Sequence, residues 1–250
     1  MKCLFFITLL LLLTAGITHA QKLELNVYAG TGLYNYTGNG SNTVSFLLEV
    51  PQNQFSTSYI NNPYGRRSTF SYEAGLQVKQ VTRAGILFGA RAGYEVLRSQ
   101  TDINSVYISS PMLHTTPGYT GNLSTGNAVL SNHYINLNPY IGYRFKLNGM
   151  SIDAMPGINW GIAGYSKEKG KATIVRSDES YTVDRKPSSS KNDVRVNMNL
   201  ALNFQQWGIT AGYSHGVSNY MRGMIATPAY NGIAYVQPKV YSQFLSLIHI

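Results

Sequence analysis

Cysteine is all but missing from this chain of 250 residues: Cys3 is the only one. It stands ahead of an amino-terminal apolar run, so the remainder can form no disulfide, no thiolate nucleophile and no cysteine-ligated metal site. A lipid-bearing cysteine would sit at the far end of such a run, and Cys3 does not. Charge is also scarce, at 12% of residues against the usual quarter or so. Histidine is limited to five residues, and no pair of them has metal-ligand spacing. After residues 4–17 no apolar run approaches the roughly 20 residues of a membrane-spanning helix, which excludes helical spans from the rest of the chain.

The amino terminus itself has the layout of a secretory signal. A basic start, Met1-Lys2, precedes the apolar LFFITLLLLLTAGI, and Thr18-His19-Ala20 ends in a small residue before Gln21. This predicts a signal peptide over residues 1–20 and one domain over 21–250.

What the chain has in abundance is glycine (24), tyrosine (19) and a two-residue alternation. In VRVNMNLALNF (residues 194–204) the residues Val194, Val196, Met198, Leu200, Leu202 and Phe204 are separated by Arg195, Asn197, Asn199, Ala201 and Asn203. Successive strand side chains point to opposite faces, so this is a strand with one apolar and one polar face. The same pattern recurs around Leu23–Leu33, Phe70–Val78, Ile86–Val96, Ile135–Phe145, Ile152–Ile162 and Trp207–Val217. The segment from Lys239 to Ile250 is strongly apolar without a clear phase; Val240, Phe244, Ile248 and Ile250 are the expected outward set. That makes eight strands.

Three features separate a membrane barrel from a soluble sandwich. Connections near 82, 148 and 205 are tight, whereas those at 37–68, 100–131, 167–191 and 219–238 are long, so short and long connections alternate as in outer-membrane barrels. The polar rows carry Glu24, Glu73, Lys79, Arg91, Glu95, Arg144, Asp153 and Arg195. A soluble core could not bury so many charges, each costing several kcal/mol (order of magnitude) unless paired, but a narrow wet lumen can pair them. Phe145, Phe204 and Trp207 flank the short turns, and Phe70, Tyr72, Tyr94 and Tyr213 lie toward the long connections, as two interfacial belts would. The expected fold is an all-β, eight-stranded antiparallel transmembrane up-and-down β-barrel with short periplasmic turns and four long external loops. The eight lumenal charges are expected to form a plug.

Chemistry is thinly marked. The run His215-Gly-Val-Ser218-Asn219 loosely resembles the His-x-Ser-Asn run of outer-membrane lipid A deacylases. A spacing of three puts base and nucleophile on opposite strand faces, so His215 is expected to be an interfacial ring. No catalytic residue, metal site or cofactor is expected. The net charge of +9 is placed by the signal and the barrel pattern at a membrane surface, not on nucleic acid. Arg66, Arg67, Arg98, Lys167, Lys169 and Lys171 are expected near the outer leaflet, as contacts for anionic lipopolysaccharide groups or as ordinary solvated charges. The apolar stretch VSFLLEV (residues 44–50) in the first long connection is expected to extend strands above the membrane or to dock a partner, or else to pack as a hairpin on neighbouring loops.

The runs YEAGLQVKQVTRAGILFGARAGYEVLRSQ (residues 72–100) and YINLNPYIGYRFKL (134–147), with the leader ending in Ala-Gln, resemble the outer-membrane β-barrel family of Bacteroidetes that includes the PorT-like proteins. The resemblance implies a Gram-negative outer-membrane location. Most members of that family have no assigned activity; one branch is associated with secretion, a role that no residue here marks. The expected role is therefore that of a non-enzymatic monomeric scaffold acting through its loops in envelope integrity, adhesion or surface interaction. A narrow pore or ligand-binding barrel and a component of a secretion machine are the alternatives.

Overall fold

The structure, a computed structural model, describes residues 22–52, 55–109, 119–187, 191–221, 225–229, 232–236 and 238–249. The expected signal peptide and Ile250 lie outside the described residues. Every described element is a strand: β1 (Lys22–Thr37), β2 (Val44–Gln52), β3 (Phe55–Ile60), β4 (Arg67–Val81), β5 (Ile86–Ser109), β6 (Tyr119–Leu147), β7 (Met150–Ile174), β8 (Ser180–Arg185), β9 (Asp193–Phe204), β10 (Trp207–Gly216), β11 (Ile225–Ala229), β12 (Gly232–Val236) and β13 (Tyr241–His249).

Eight of these close on themselves. β1 pairs with β4 and β13, and the circuit continues β4–β5–β6–β7–β9–β10–β13, every pairing antiparallel. Each ring strand thus has a partner on both sides and no unpaired edge. The tight turns at 82–85, 148–149 and 205–206 share one end of the ring, and each holds a residue in the left-handed region: Gly85 (φ 89°), Gly149 (φ 78°) and Gln205 (φ 51°). Glycine reaches that region at least cost.

The ring's faces are inverted relative to a water-soluble core. Leu23, Leu25 and Val27 are each more than 70% exposed, while Gln77, Glu95, Asp153 and Arg195 inside are at 0%. Close approach of strands makes room for the larger inward side chains. A Cβ on Gly75 or Gly93 would come within 2.9 and 2.6 Å of the Tyr28 hydroxyl, so these two glycines seat that ring.

Two expectations are corrected. Val240, just before β13, and Phe244 and Ile248 within it are buried, whereas Leu245 and Leu247 are each 56% exposed. The phase is the reverse of that expected because inward-facing Gly30 and Gly32 on β1 leave space that Ile248 and Phe244 fill: a Cβ at those glycines would lie 2.9 Å from Ile248 Cγ1 and 2.6 Å from Phe244 Cε2. The segments 100–131 and 167–191 are also not simply loops, since β5, β6 and β7 run well past the ring.

Those extensions carry a second sheet, in the order β3-β2-β5-β6-β7-β8, with β2 parallel to β5 and the rest antiparallel. Its inner face is apolar: Leu47, Ile60, Ile103, Val106, Ala128, Ala172, Ile174 and Val183 form one buried cluster. The VSFLLEV stretch is β2, both an extension of the strand system and a hairpin packed with β3, with Leu47 fully buried. At the far edges β3 approaches β8. There the buried Glu168 carboxylate accepts from Ile60 N (2.9 Å) and from Arg185 Nη2 (3.1 Å), and the Arg185 guanidinium lies 5.2 Å from the Tyr59 ring.

Candidate functional site

Inside the ring the polar rows stack in tiers. Nearest the short turns, Arg144 of β6 forks onto Glu24 of β1, with Nη1 to Oε1 2.8 Å and Nη2 to Oε2 3.0 Å. The same guanidinium binds Asp153 of β7 at 2.6 and 2.8 Å. Lys79 of β4 donates to Asp153 at 2.9 Å and lies 3.2 Å from Glu24. Four strands are thereby tied across the lumen. Such charge-assisted, bidentate contacts are the strong class of hydrogen bond. An apolar layer of Val81, Leu87, Tyr140, Met155 and Ala201 fills the same end.

Midway, Arg91 lies between the rings of Tyr28 and Tyr140, 5.7 and 5.9 Å from their centroids. Glu73 and the amides of Asn136, Asn138 and Asn159 line the same 20 Å³ chamber, room for about one water-sized molecule. Above it, Arg195 of β9 pairs with Glu95 of β5 and, at 3.2 Å, with Asp193; all three are fully buried. Asn136 Nδ2 donates to Glu95 (3.0 Å) and Ser242 Oγ to Asp193 (3.0 Å). The mouth nearest the long connections is filled by Tyr34, Tyr36, Leu97, Leu130, Tyr134, Tyr220, Val240 and Phe244. Within that cluster Tyr36 is edge-on to Tyr64 and Tyr220 at 5.1 and 5.0 Å, and the Tyr134 and Tyr220 hydroxyls are 2.9 Å apart.

The eight expected lumenal charges therefore all face inward but in separate groups. Glu24, Lys79, Arg144 and Asp153 form one; Glu95 and Arg195 form another with Asp193; Glu73 and Arg91 sit between. Asp193 was not among the expected residues, since it opens β9 just before the alternating run. The tyrosine stopper was missed too; its signal was the inward phase of Tyr34 and Tyr36 on β1.

On the outside, the surface cations differ in what they touch. Arg66 is folded onto the first long connection, with Nε to Ser41 Oγ at 2.9 Å and Nη2 to Gly38 O at 2.6 Å. Arg67 pairs with Asp102. Lys167 and Lys169 lie on β7 and share Asp184 at 3.3 and 3.7 Å. Lys171 lies further along β7 opposite Thr182, and Arg98 is exposed on β5. Just below this height His133 stacks on Tyr165 at 3.9 Å and shares a 2.5 Å hydrogen bond with the Tyr94 hydroxyl. Lys186, not among the expected contacts, lies 5.7 Å over the Tyr165 ring.

His215 and Ser218 make separate contacts. The His215 ring is 6.1 Å from Tyr241, and Ser218 Oγ accepts from Val194 N at 3.2 Å. Among the described residues there is no group of three or more His, Cys, Asp or Glu side chains that could hold a metal ion.

No protein-family model and no curated protein matches the chain. Among solved structures, the attachment invasion locus protein of Yersinia pestis, in complex with the heparin analogue sucrose octasulfate, is similar at 11% identity and TM-score 0.34, over 93% of this chain and 100% of that chain. Another structure of the same protein is similar at 11% identity and TM-score 0.27, with the same coverage. At that level of likeness the function has to be read from this chain's own residues.

Proposed function

We propose that the chain is a closed, non-catalytic transmembrane β-barrel of a Gram-negative outer membrane. Its working surface is the folded structure beyond the ring, and its role lies in envelope integrity, adhesion or other surface interaction. The observation that carries this is the inverted ring: leucine and valine more than 70% exposed outside, charges fully buried inside. That distribution suits a wall with hydrocarbon on one side and a polar lumen on the other. Paired strands leave no backbone edge to lipid, as a spanning structure requires. The ionic tie at one end and the tyrosine stopper at the other favour a scaffold over a narrow pore. Loops and extensions on such a scaffold are where recognition resides. The resemblance to PorT-like barrels belongs to this reading, with lipopolysaccharide as the expected lipid partner.

The test is electrical. The chain is refolded in detergent, its folding is checked by heat-modifiable gel mobility, and it is inserted into a planar bilayer. A folded barrel is expected to be silent. Discrete, charge-selective openings that change when Arg91 or Arg195 is neutralised would make the lumen the functional site and overturn the reading.

A further inference from the structure

The outer wall of β5, β6 and β7 is not a uniform apolar surface. A groove of 430 Å³ runs between Ala90, Leu137, Pro139, Ile158, Trp160 and Val194, with no polar lining. It exists because small or compact side chains stand next to bulky ones: Ala90 and Pro139 are cross-strand partners, and Leu137 lies opposite Trp160. Further along the same strands come His133 and Tyr165, then Arg98 on β5 and Lys167 on β7. Arg98 pairs with Ser131, and Ser131 with Lys167, so the two cations occupy one row of the sheet two strands apart. Lys186 joins them over Tyr165. Lys167 and Lys169 share the one carboxylate of Asp184.

The spacing matches half a membrane. Leu137 to Ser131, in the cation row, is six residues and Trp160 to Lys167 seven, about 20 and 23 Å along a strand, which the usual barrel tilt shortens by about a quarter to about 15 and 17 Å. The hydrocarbon depth of one leaflet is about 15 Å. A groove at mid-membrane with a cationic, aromatic row one leaflet above it fits a single amphiphile.

We propose that this wall holds one phosphorylated lipid of the outer leaflet, its acyl chain in the Ala90–Pro139–Trp160 groove and its phosphate on Arg98, Lys167 and Lys186. This rests on the membrane reading above. It narrows the six expected surface cations to Arg98 and Lys167, which also reaches the exposed Asp184 at 3.3 Å, adds Lys186, and sets aside Arg66 and Arg67, which stand just before and on β4, off this wall.

The full chain, expressed with its own amino-terminal segment in a Gram-negative host and extracted in mild detergent, is weighed by native mass spectrometry. The expected spectrum is a single chain with one phosphorylated glycolipid. The charge-reversed variant R98E/K167E/K186E should lose at least tenfold of that adduct, and Ala90→Leu, which fills the groove, should weaken it without any change of charge. Lys171→Glu, outside the row, should retain it. An adduct undiminished in the triple variant would overturn the phosphate site, and one undiminished in Ala90→Leu would overturn the groove. A persistent two-chain mass without lipid would mean that a second copy covers the wall. Heat-modifiable mobility is recorded for each sample. A folded barrel with no adduct sinks only the lipid proposal, whereas a chain that gives no such mobility from the membrane fraction sinks the membrane reading with it.

Discussion

Two stretches of the same strand follow opposite rules. In the ring, β7 turns Ile158, Trp160 and Ile162 outward and Asp153, Asn159 and Gly161 inward. Past Tyr165, it turns Lys167, Lys169 and Lys171 outward, while Ala172 and Ile174 enter an apolar core. β5 and β6 reverse with it: Arg91 and Glu95 give way to Ile103 and Val106, and Asn136 and Asn138 to Leu130 and Ala128. One continuous backbone thus carries two opposite burial patterns. Burial in the ring is of polar groups that must be paired; burial beyond it is of apolar surface driven from water.

The comparison can be broken most forcefully inside the ring. Arg195→Met should leave Glu95 and Asp193 buried without their cation and cost about 3–5 kcal/mol, read as a lowered urea midpoint in refolding from detergent. Replacing all three with apolar residues of similar volume should recover most of that loss. Beyond the ring, Leu47→Ala should cost about 2–5 kcal/mol, but locally. Hydrogen exchange should quicken in β2, β3 and β8 while the heat-modifiable mobility of the ring is unchanged, and loss of that mobility would mean the two regions fold as one. The smallest effect sharpens the boundary. Arginine in place of Ile158 should cost about 2–4 kcal/mol and in place of Tyr165 about 0–1, measured by the same refolding equilibrium. Equal costs at the two positions would remove the change of solvent along β7.

The ring strands were legible in the sequence because an exposed apolar face on one side and polar pairing on the other impose a strict period of two, as in residues 194–204. β13 was not, because each of its faces mixes apolar with polar residues, Ser242, Phe244, Ser246 and Ile248 inward and Gln243, Leu245 and Leu247 outward; its phase is decided by Gly30 and Gly32 on a strand far away in sequence. The extensions escaped for a related reason. The run TGNLSTGNAVLSN (residues 120–132) is rich in small polar residues and looks like loop. Its inward Ala128 and Leu130 become core only once β2 and β5 have brought Leu47 and Leu97 alongside. Of the lumenal charges, the residues were visible as a row, but their grouping was not. Arg144 finds Glu24 and Arg195 finds Glu95 across the ring, contacts between strands that no local spacing encodes.

The seam between β1 and β13 sets Ala29 opposite His249 and Thr37 opposite Tyr241. The first and last strands fasten one another, so no shorter nascent chain can complete the circle. Contacts so distant along the chain are intrinsically slow to form. Until the final strand arrives, two sheet edges lie open and prone to pairing with other chains. Pairing of the outermost ring strands is therefore what removes both open edges, and with them the sites for pairing with other chains.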